Sequence, residues 1–261
     1  MTVAKGRTGP VLDNPRWVNE LFSSTQFAWV WLMLRIYLGV QWLEGGWHKL
    51  SEEPWTTTGF VIKGFWERAV AMPEPPGRAP IAYDWYREFL KFMLDHEMYE
   101  LFGKLVAYGE VLVGIGLLVG CFTGIAAFFG AVMNWNFMLA GTASTNPVLG
   151  ILAIALIVGW KTSGWWGLDR FVLPYVGAPW ARGELFGGHR PMIEGEKSQP
   201  VLRYVEEWGR MLIAAGVAIY SLAYLQGAVQ LIIFLFAVLL AATTGLGLAF
   251  VRGDKGIERT S

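Results

Sequence analysis

The sequence predicts an all-α membrane protein: a four-helix transmembrane bundle with an amphipathic-helix loop on its outer side, followed by a C-terminal transmembrane hairpin, about six spans in all. Three observations carry this. Hydrophobic residues make up 54% of the 261-residue chain, and charged residues only 16%, against roughly 25% in a typical soluble domain. The apolar residues fall in blocks long enough for the ~20-residue helix that a bilayer requires. The charges fall between those blocks rather than within them.

Residues 1–26 form a cytoplasmic N-terminal segment without the pattern of a removable signal. The four-helix membrane domain covers 27–173. Its first span is 27–46. The loop 47–100 is too long and aromatic for a linker: "YDWYREFLKFMLDHEMYELF" aligns Tyr86, Phe89, Leu90, Met93 and Leu94 on one helical stripe, with Arg87, Glu88, Lys91 and Asp95 opposite. "MPEPPGRAP" interrupts regular structure before it. The expectation is a cap of two short helices. Spans at 101–121 and 123–141 are separated only by "CFTG", so they are antiparallel neighbours; a fourth runs over 147–160. "LDRFVLPYVGAPWARGELFGGHRP", from Leu168, reads as an amphipathic piece followed by a Gly/Pro loop, and a cytoplasmic connecting segment covers 174–208. Residues 209–250 are apolar for longer than one crossing needs, and "YLQGAVQ" in their middle predicts two helices and a tight turn. A cytoplasmic tail, 251–261, closes the chain.

Placing the N-terminus inside gathers Lys5, Arg7, Arg16, Lys161, Arg170, Arg182, Arg190, Lys197 and the bases from Arg203 onward on the cytoplasmic side. Lys49, Lys63, Arg68, Arg78, Arg87, Lys91 and Lys104 fall on the other. This assigns both termini to the cytoplasm, with a prokaryotic cytoplasmic membrane as the location.

The formal net charge of zero offers no basic field for nucleic acid. A single cysteine, Cys121, excludes an intramolecular disulfide or a Cys-rich metal site. No predicted span carries a histidine in its interior to ligate haem, and no metal-ligand or nucleotide-binding motif is present. Electron chemistry would therefore use a diffusible organic carrier or cofactors on a partner.

Two ionisable groups nevertheless lie in the oil. At 1.5 Å per residue, Arg35 is about 12 Å from the inner end of its span, and Glu110 about 14 Å from the outer end of the next. In a core about 30 Å thick the two depths match, which makes Glu110 the expected counter-ion of Arg35. Asn134 arrives at a similar depth from the third span. Intramembrane charge is costly and usually functional, although a buried pair can simply fix helix register. His48 and Lys49 form either a snorkelling helix end or a cationic mouth for an anion. Trp29, Trp31, Trp42 and Trp47 read mainly as interface and lipid contacts, Gly116 and Gly120 as a small-residue helix contact, and His96 and His189 as surface residues.

"LRIYLGVQWLEGGWHKL", "YGEVLVGIGLLVG", "NWNFMLAGTASTNPV" and "GWKTSGWWGLDRFV" together resemble the DoxX/DoxD-like membrane family over 27–173. The resemblance implies a four-helix bundle. In the family's best-described branch it implies the large subunit of thiosulfate:quinone oxidoreductase, which joins two thiosulfates into tetrathionate and passes electrons to quinone. The long outer loop and the 209–250 hairpin depart from that pattern. On an enzyme reading, an anionic sulfur substrate approaches His48 and Lys49. Quinone lies against Arg35, Glu110, Asn134 and Trp42, with Arg35 stabilising negative charge and Glu110 relaying a proton. On a second reading the polar trio is a clasp, and the chain is a non-catalytic anchoring or assembly subunit of a larger respiratory or photosynthetic redox complex. Membrane lipid, quinone and a further protein subunit are the partners these readings imply. A transporter is disfavoured, since no inverted repeat is visible.

Overall fold

The computed structural model describes residues 14–74, 76–188 and 200–257. Lys5, Arg7, Arg190, Lys197 and Arg259, on which part of the charge count rests, lie outside the described residues, as does His189.

Helix α1 (Arg16–Ser23) leads through a single 3-10 turn into α2 (Ala28–Ser51). Three short helices follow, α3 (Glu53–Thr56), α4 (Phe60–Val70) and α5 (Asp84–Asp95), one more than expected. They form a cap over one end of a bundle made by α2, α6 (Tyr99–Val119), α7 (Thr123–Leu139) and α8 (Asn146–Val158). At the end opposite the cap come α9 (Trp160–Ser163), α10 (Asp169–Val176) and a two-residue antiparallel ladder of β1 (Gly177–Ala178) with β2 (Ala181–Arg182). The expected C-terminal hairpin is two helices, α11 (Pro200–Tyr224) and α12 (Gly227–Ile257). Their turn is held by the Ser221 hydroxyl, which donates to the Gln230 carbonyl at 2.7 Å.

Of the expected crossings, α6 and the Gly227–Gly245 part of α12 are long and apolar enough to span a membrane. α7 and α8 are apolar but shorter, at 17 and 13 residues. α8 stops at Gly159, where a Cβ would press within 3.1 Å of the Trp31 ring.

α2 is the central element, buried on two sides. Trp31, Leu38 and Trp42 pack with Val113 and Leu117 of α6, Ala127 of α7 and Leu149, Ala153 and Leu156 of α8. Ile36, Val40 and Leu43 pack with Ala214 of α11 and Val229, Ile233 and Leu240 of α12. Trp31 and Trp42 are therefore core residues rather than lipid contacts, while Trp29 is exposed. The Trp31 indole donates to the Leu21 carbonyl at 2.8 Å, which satisfies the polar handle that would otherwise keep the ring at an interface.

Of the expected small-residue contact, Gly116 does meet α7, a Cβ there lying 3.2 Å from Ala126, but the tightest helix contacts by glycine lie at other positions. A Cβ at Gly46 would lie 2.7 Å from the Val111 nitrogen, and one at Gly114 2.6 Å from the Leu43 nitrogen. These glycines let α2 and α6 approach backbone to backbone. Gly120 instead terminates α6 in the left-handed region, at φ +68°.

In the cap, Tyr86, Leu90 and Met93 are buried with Ile62, Trp66, Ala69, Ile81 and Ala140. Phe89 is exposed, and Arg87, expected on the solvent side, is buried. The Arg87 guanidinium pairs with Asp84 and donates to the Ile81 carbonyl at 2.6 Å. The Pro-rich segment turns that carbonyl inward, and so supplies the burial partner that helical periodicity alone could not show.

Candidate functional site

The expected Arg35–Glu110 pair does not form. Arg35 is fully buried, and its Nη1 donates to the Leu117 and Leu118 carbonyls at 3.0 and 3.2 Å. Its Nη2 donates to the Trp166 carbonyl at 3.1 Å. Leu117 and Leu118 lie in the last turn of α6, where carbonyls have no intrahelical partner and a cation is favoured by the helix dipole. Asp169 does the complementary work at the start of α7, accepting from the backbone N–H of Phe122 at 2.5 Å and of Thr123 at 2.9 Å. Burial pushes the Asp169 carboxyl above its ordinary range, against those hydrogen bonds and the Arg35 charge. Arg35 and Asp169 thus clamp the two helix ends flanking the α6–α7 turn. The depth match failed because it set all helix ends at one level. α6 ends beside Arg35, which leaves Glu110, seven residues before Leu117, about 10 Å nearer the cap.

Glu110 has another partner. Lys49, four residues beyond Gly45 on α2, turns back into the bundle, and its Nζ lies 2.7 Å from Glu110 Oε2. The ammonium also donates to the Gly45 carbonyl at 3.3 Å and sits 5.2 Å from the Trp55 ring. Glu110 is buried and Lys49 nearly so. A Cβ at Gly45 would come within 3.3 Å of Glu110 Oε2, so glycine leaves room for the carboxylate there.

Two further candidates share this part of the bundle. α6 and α7 run antiparallel: a Cβ at Gly130 would lie 3.4 Å from Val113, and one at Gly109 3.6 Å from the Met133 sulfur. That register sets Asn134 at the height of Glu110. Asn134 is completely buried, and neither its Oδ1 nor its Nδ2 has a hydrogen-bond partner. The Trp42 indole nitrogen, also buried and unpartnered, faces Gly130, where a Cβ would lie 3.0 Å away.

Most of these residues lie in one segment, since residues 30–143 match the DoxX family model. The chain thus carries a DoxX-like segment of 114 residues out of its 261. No curated protein and no solved structure matches the chain. The DoxX segment contains Arg35, Trp42, His48, Lys49, Glu110 and Asn134 but ends before Trp166 and Asp169, so the chain beyond it completes the Arg35 clamp. The DoxX family is membrane-associated and often linked to redox or quinone-related proteins.

The remaining expected site residue, His48, lies outside the polar interior. It is largely exposed and 3.2 Å from Glu52. Lys49 belongs to the buried pair rather than to an open cationic mouth. Asp169 is the residue that helix-depth reasoning missed, and Lys49, expected at the outer mouth, is the partner of Glu110 that it did not foresee. "WHKL" and "GLDR" carried the residue types, but only the tertiary register shows which carboxylate or helix end each one meets.

Proposed function

We propose that the protein is the membrane subunit of a quinone-linked oxidoreductase, with quinone reduced beside Lys49, Glu110, Asn134 and Trp42. The observation that carries this reading is the buried Asn134 amide, unpartnered at both polar atoms and level with a buried ion pair. Buried polar groups in native proteins almost always have a partner, and a carbonyl-bearing ligand suits an amide N–H and an indole N–H. Glu110 would move a proton to the quinone oxygen. Lys49 would offset negative charge developing there.

The finer reading follows the family resemblance: two thiosulfate ions lose one electron each and join through a new S–S bond, and quinone takes the two electrons and two protons to become quinol. The sulfur substrate would approach from the cap side, outside a prokaryotic cytoplasmic membrane, with both chain termini in the cytoplasm. A non-catalytic anchoring subunit is the second reading. It is favoured by Arg35, whose guanidinium is committed to backbone carbonyls.

The test is thiosulfate-dependent reduction of a soluble quinone analogue in membranes containing wild type or Asn134→Leu. Leucine removes two unsatisfied polar atoms at similar volume, so the variant should fold at least as well. Activity should nevertheless fall at least about tenfold, as expected when a hydrogen bond to the reacting group is lost. An Asn134→Leu protein as active as wild type would remove Asn134 from the site. A wild type inactive with its co-purifying partners present would favour the anchoring reading.

A further inference from the structure

The end of the bundle opposite the cap carries a second polar feature that neither the clamp nor the quinone reading uses. A small cavity of about 50 Å³ is lined by Trp160, Lys161, Trp165, Asp169, Arg170, Leu173 and Pro174. Lys161 and Arg170 are exposed, and neither makes an ion pair among the described residues. The Arg170 guanidinium lies 5.1 Å over the Trp165 ring, which fixes its position. The one acid in the lining, Asp169, is buried and turned away into the protein, its two oxygens accepting from Phe122 and Thr123. The cavity therefore presents two cations and no free carboxylate. It opens at the end of α8, beside Trp160 and the Trp180 ring that meets it edge-on at 5.6 Å. Indole rings at a helix end sit at headgroup level in a membrane protein.

We propose that this cavity binds the phosphate of an anionic phospholipid, with Lys161 and Arg170 as its ligands and the tryptophans lying at the headgroup layer. Charge complementarity selects an anion. Position at the end of a membrane helix, between interface aromatics, selects one carried by a lipid. The inference is independent of the quinone reading, because none of these residues is near Glu110 or Asn134 in the fold. It adds a role for the "GWKTSGWWGLDR" stretch beside its part in the Arg35 clamp. Lipid bound here would sit directly on the segment that supplies the Trp166 carbonyl and the Asp169 cap.

The test is native mass spectrometry of the full chain released from nanodiscs containing equal phosphatidylglycerol and phosphatidylcholine. Wild type should retain one phosphatidylglycerol in preference to phosphatidylcholine. Lys161→Gln with Arg170→Gln should reduce that preference about thirtyfold, from a contribution of roughly a factor of five for each cation near a lipid headgroup. Lys63→Gln with Lys104→Gln removes the same charge at the cap end and should leave the preference unchanged, and Arg170→Lys should largely preserve it. An excess of inorganic phosphate should not displace the lipid. Equal retention of the two lipids by wild type would overturn the proposal, as would the same phosphatidylglycerol preference in the Lys161/Arg170 variant. Displacement by phosphate at equal ease would replace the lipid with a free anion.

Discussion

Lys49 shows how a single side chain can redirect an electrostatic argument. Its stem spans the distance between the cap end of α2 and a carboxylate one turn deeper, and the ion pair at 2.7 Å replaces the pairing that depth alone suggested. Lys49→Met should leave an uncompensated buried carboxylate, and Glu110→Leu an uncompensated ammonium, each destabilising by about 3–5 kcal/mol. The double variant should regain most of that stability, and Arg35→Leu should add to Glu110→Leu without coupling. Denaturation in detergent, analysed as a double-mutant cycle, measures both terms; coupling larger between Arg35 and Glu110 than between Lys49 and Glu110 would contradict the geometry. The sequence thus revealed which polar residues enter the apolar interior, Arg35, Glu110 and Asn134 among them, but not their partners. Pairing depends on helix offsets of a few residues, to which composition is blind. Tyr86 gives a residue-scale pH dependence. Its hydroxyl donates to Asn136 at 3.2 Å, and burial pushes it up to about 12, against an ordinary value of about 10. The neutral form is favoured by folding, so this contribution is fully present below about pH 10 and is lost as pH rises toward 12. Tyr86→Phe should flatten the alkaline fall in thermal stability over that window; an equally steep fall in the variant would assign the effect to another tyrosine.

At the scale of elements, the α6–α7 turn depends on groups far from it in sequence. Gly120 ends α6 with φ +68°, and a Cβ there would land on Arg35 Nη1. Gly120→Ala therefore combines left-handed strain of about 1–2 kcal/mol with displacement of the guanidinium. It should cost clearly more than Gly116→Ala, whose Cβ would meet Ala126 at 3.2 Å and the Cys121 carbonyl at an ordinary 3.5 Å. Asp169→Ala should cost a further about 1–2 kcal/mol through the lost cap on α7. Thermal unfolding of the three variants in one detergent ranks them, and a Gly116→Ala variant less stable than Gly120→Ala would refute the role given to the turn. α2, α6, α7 and α8 and the two-helix hairpin were legible from apolar runs and the short "CFTG" connection, because burial and bilayer length act on long stretches. α10 was legible too, as an amphipathic piece beginning at Leu168. The short cap helix α3 and the small ladder were not: at four residues and two residues per strand, they are too short to carry a pattern of their own.

For the whole molecule, the sequence-based assignment of both ends to the cytoplasm makes the cap external. In a variant with Cys121 replaced by serine, a cysteine at Ser51 should react with a membrane-impermeant maleimide on intact cells, and one at exposed Leu185 only after permeabilisation. The reverse pattern would invert the molecule. The two halves of the fold meet at Trp166, whose carbonyl receives Arg35 and whose ring lies 5.1 Å below the Arg210 guanidinium of α11. That junction bears on how the chain is made. Arg35 precedes Trp166 by 131 residues, so at roughly 5–20 residues per second the ribosome delivers its last acceptor about 7–26 s later. Until then Arg35 Nη2 lacks its acceptor and must stay hydrated or snorkel toward a headgroup. The first helix should therefore settle into its final depth only once synthesis has passed the second tryptophan of "GWWGLD". Nascent chains arrested before that point should leave α2 extractable by alkali, and chains arrested after it should not.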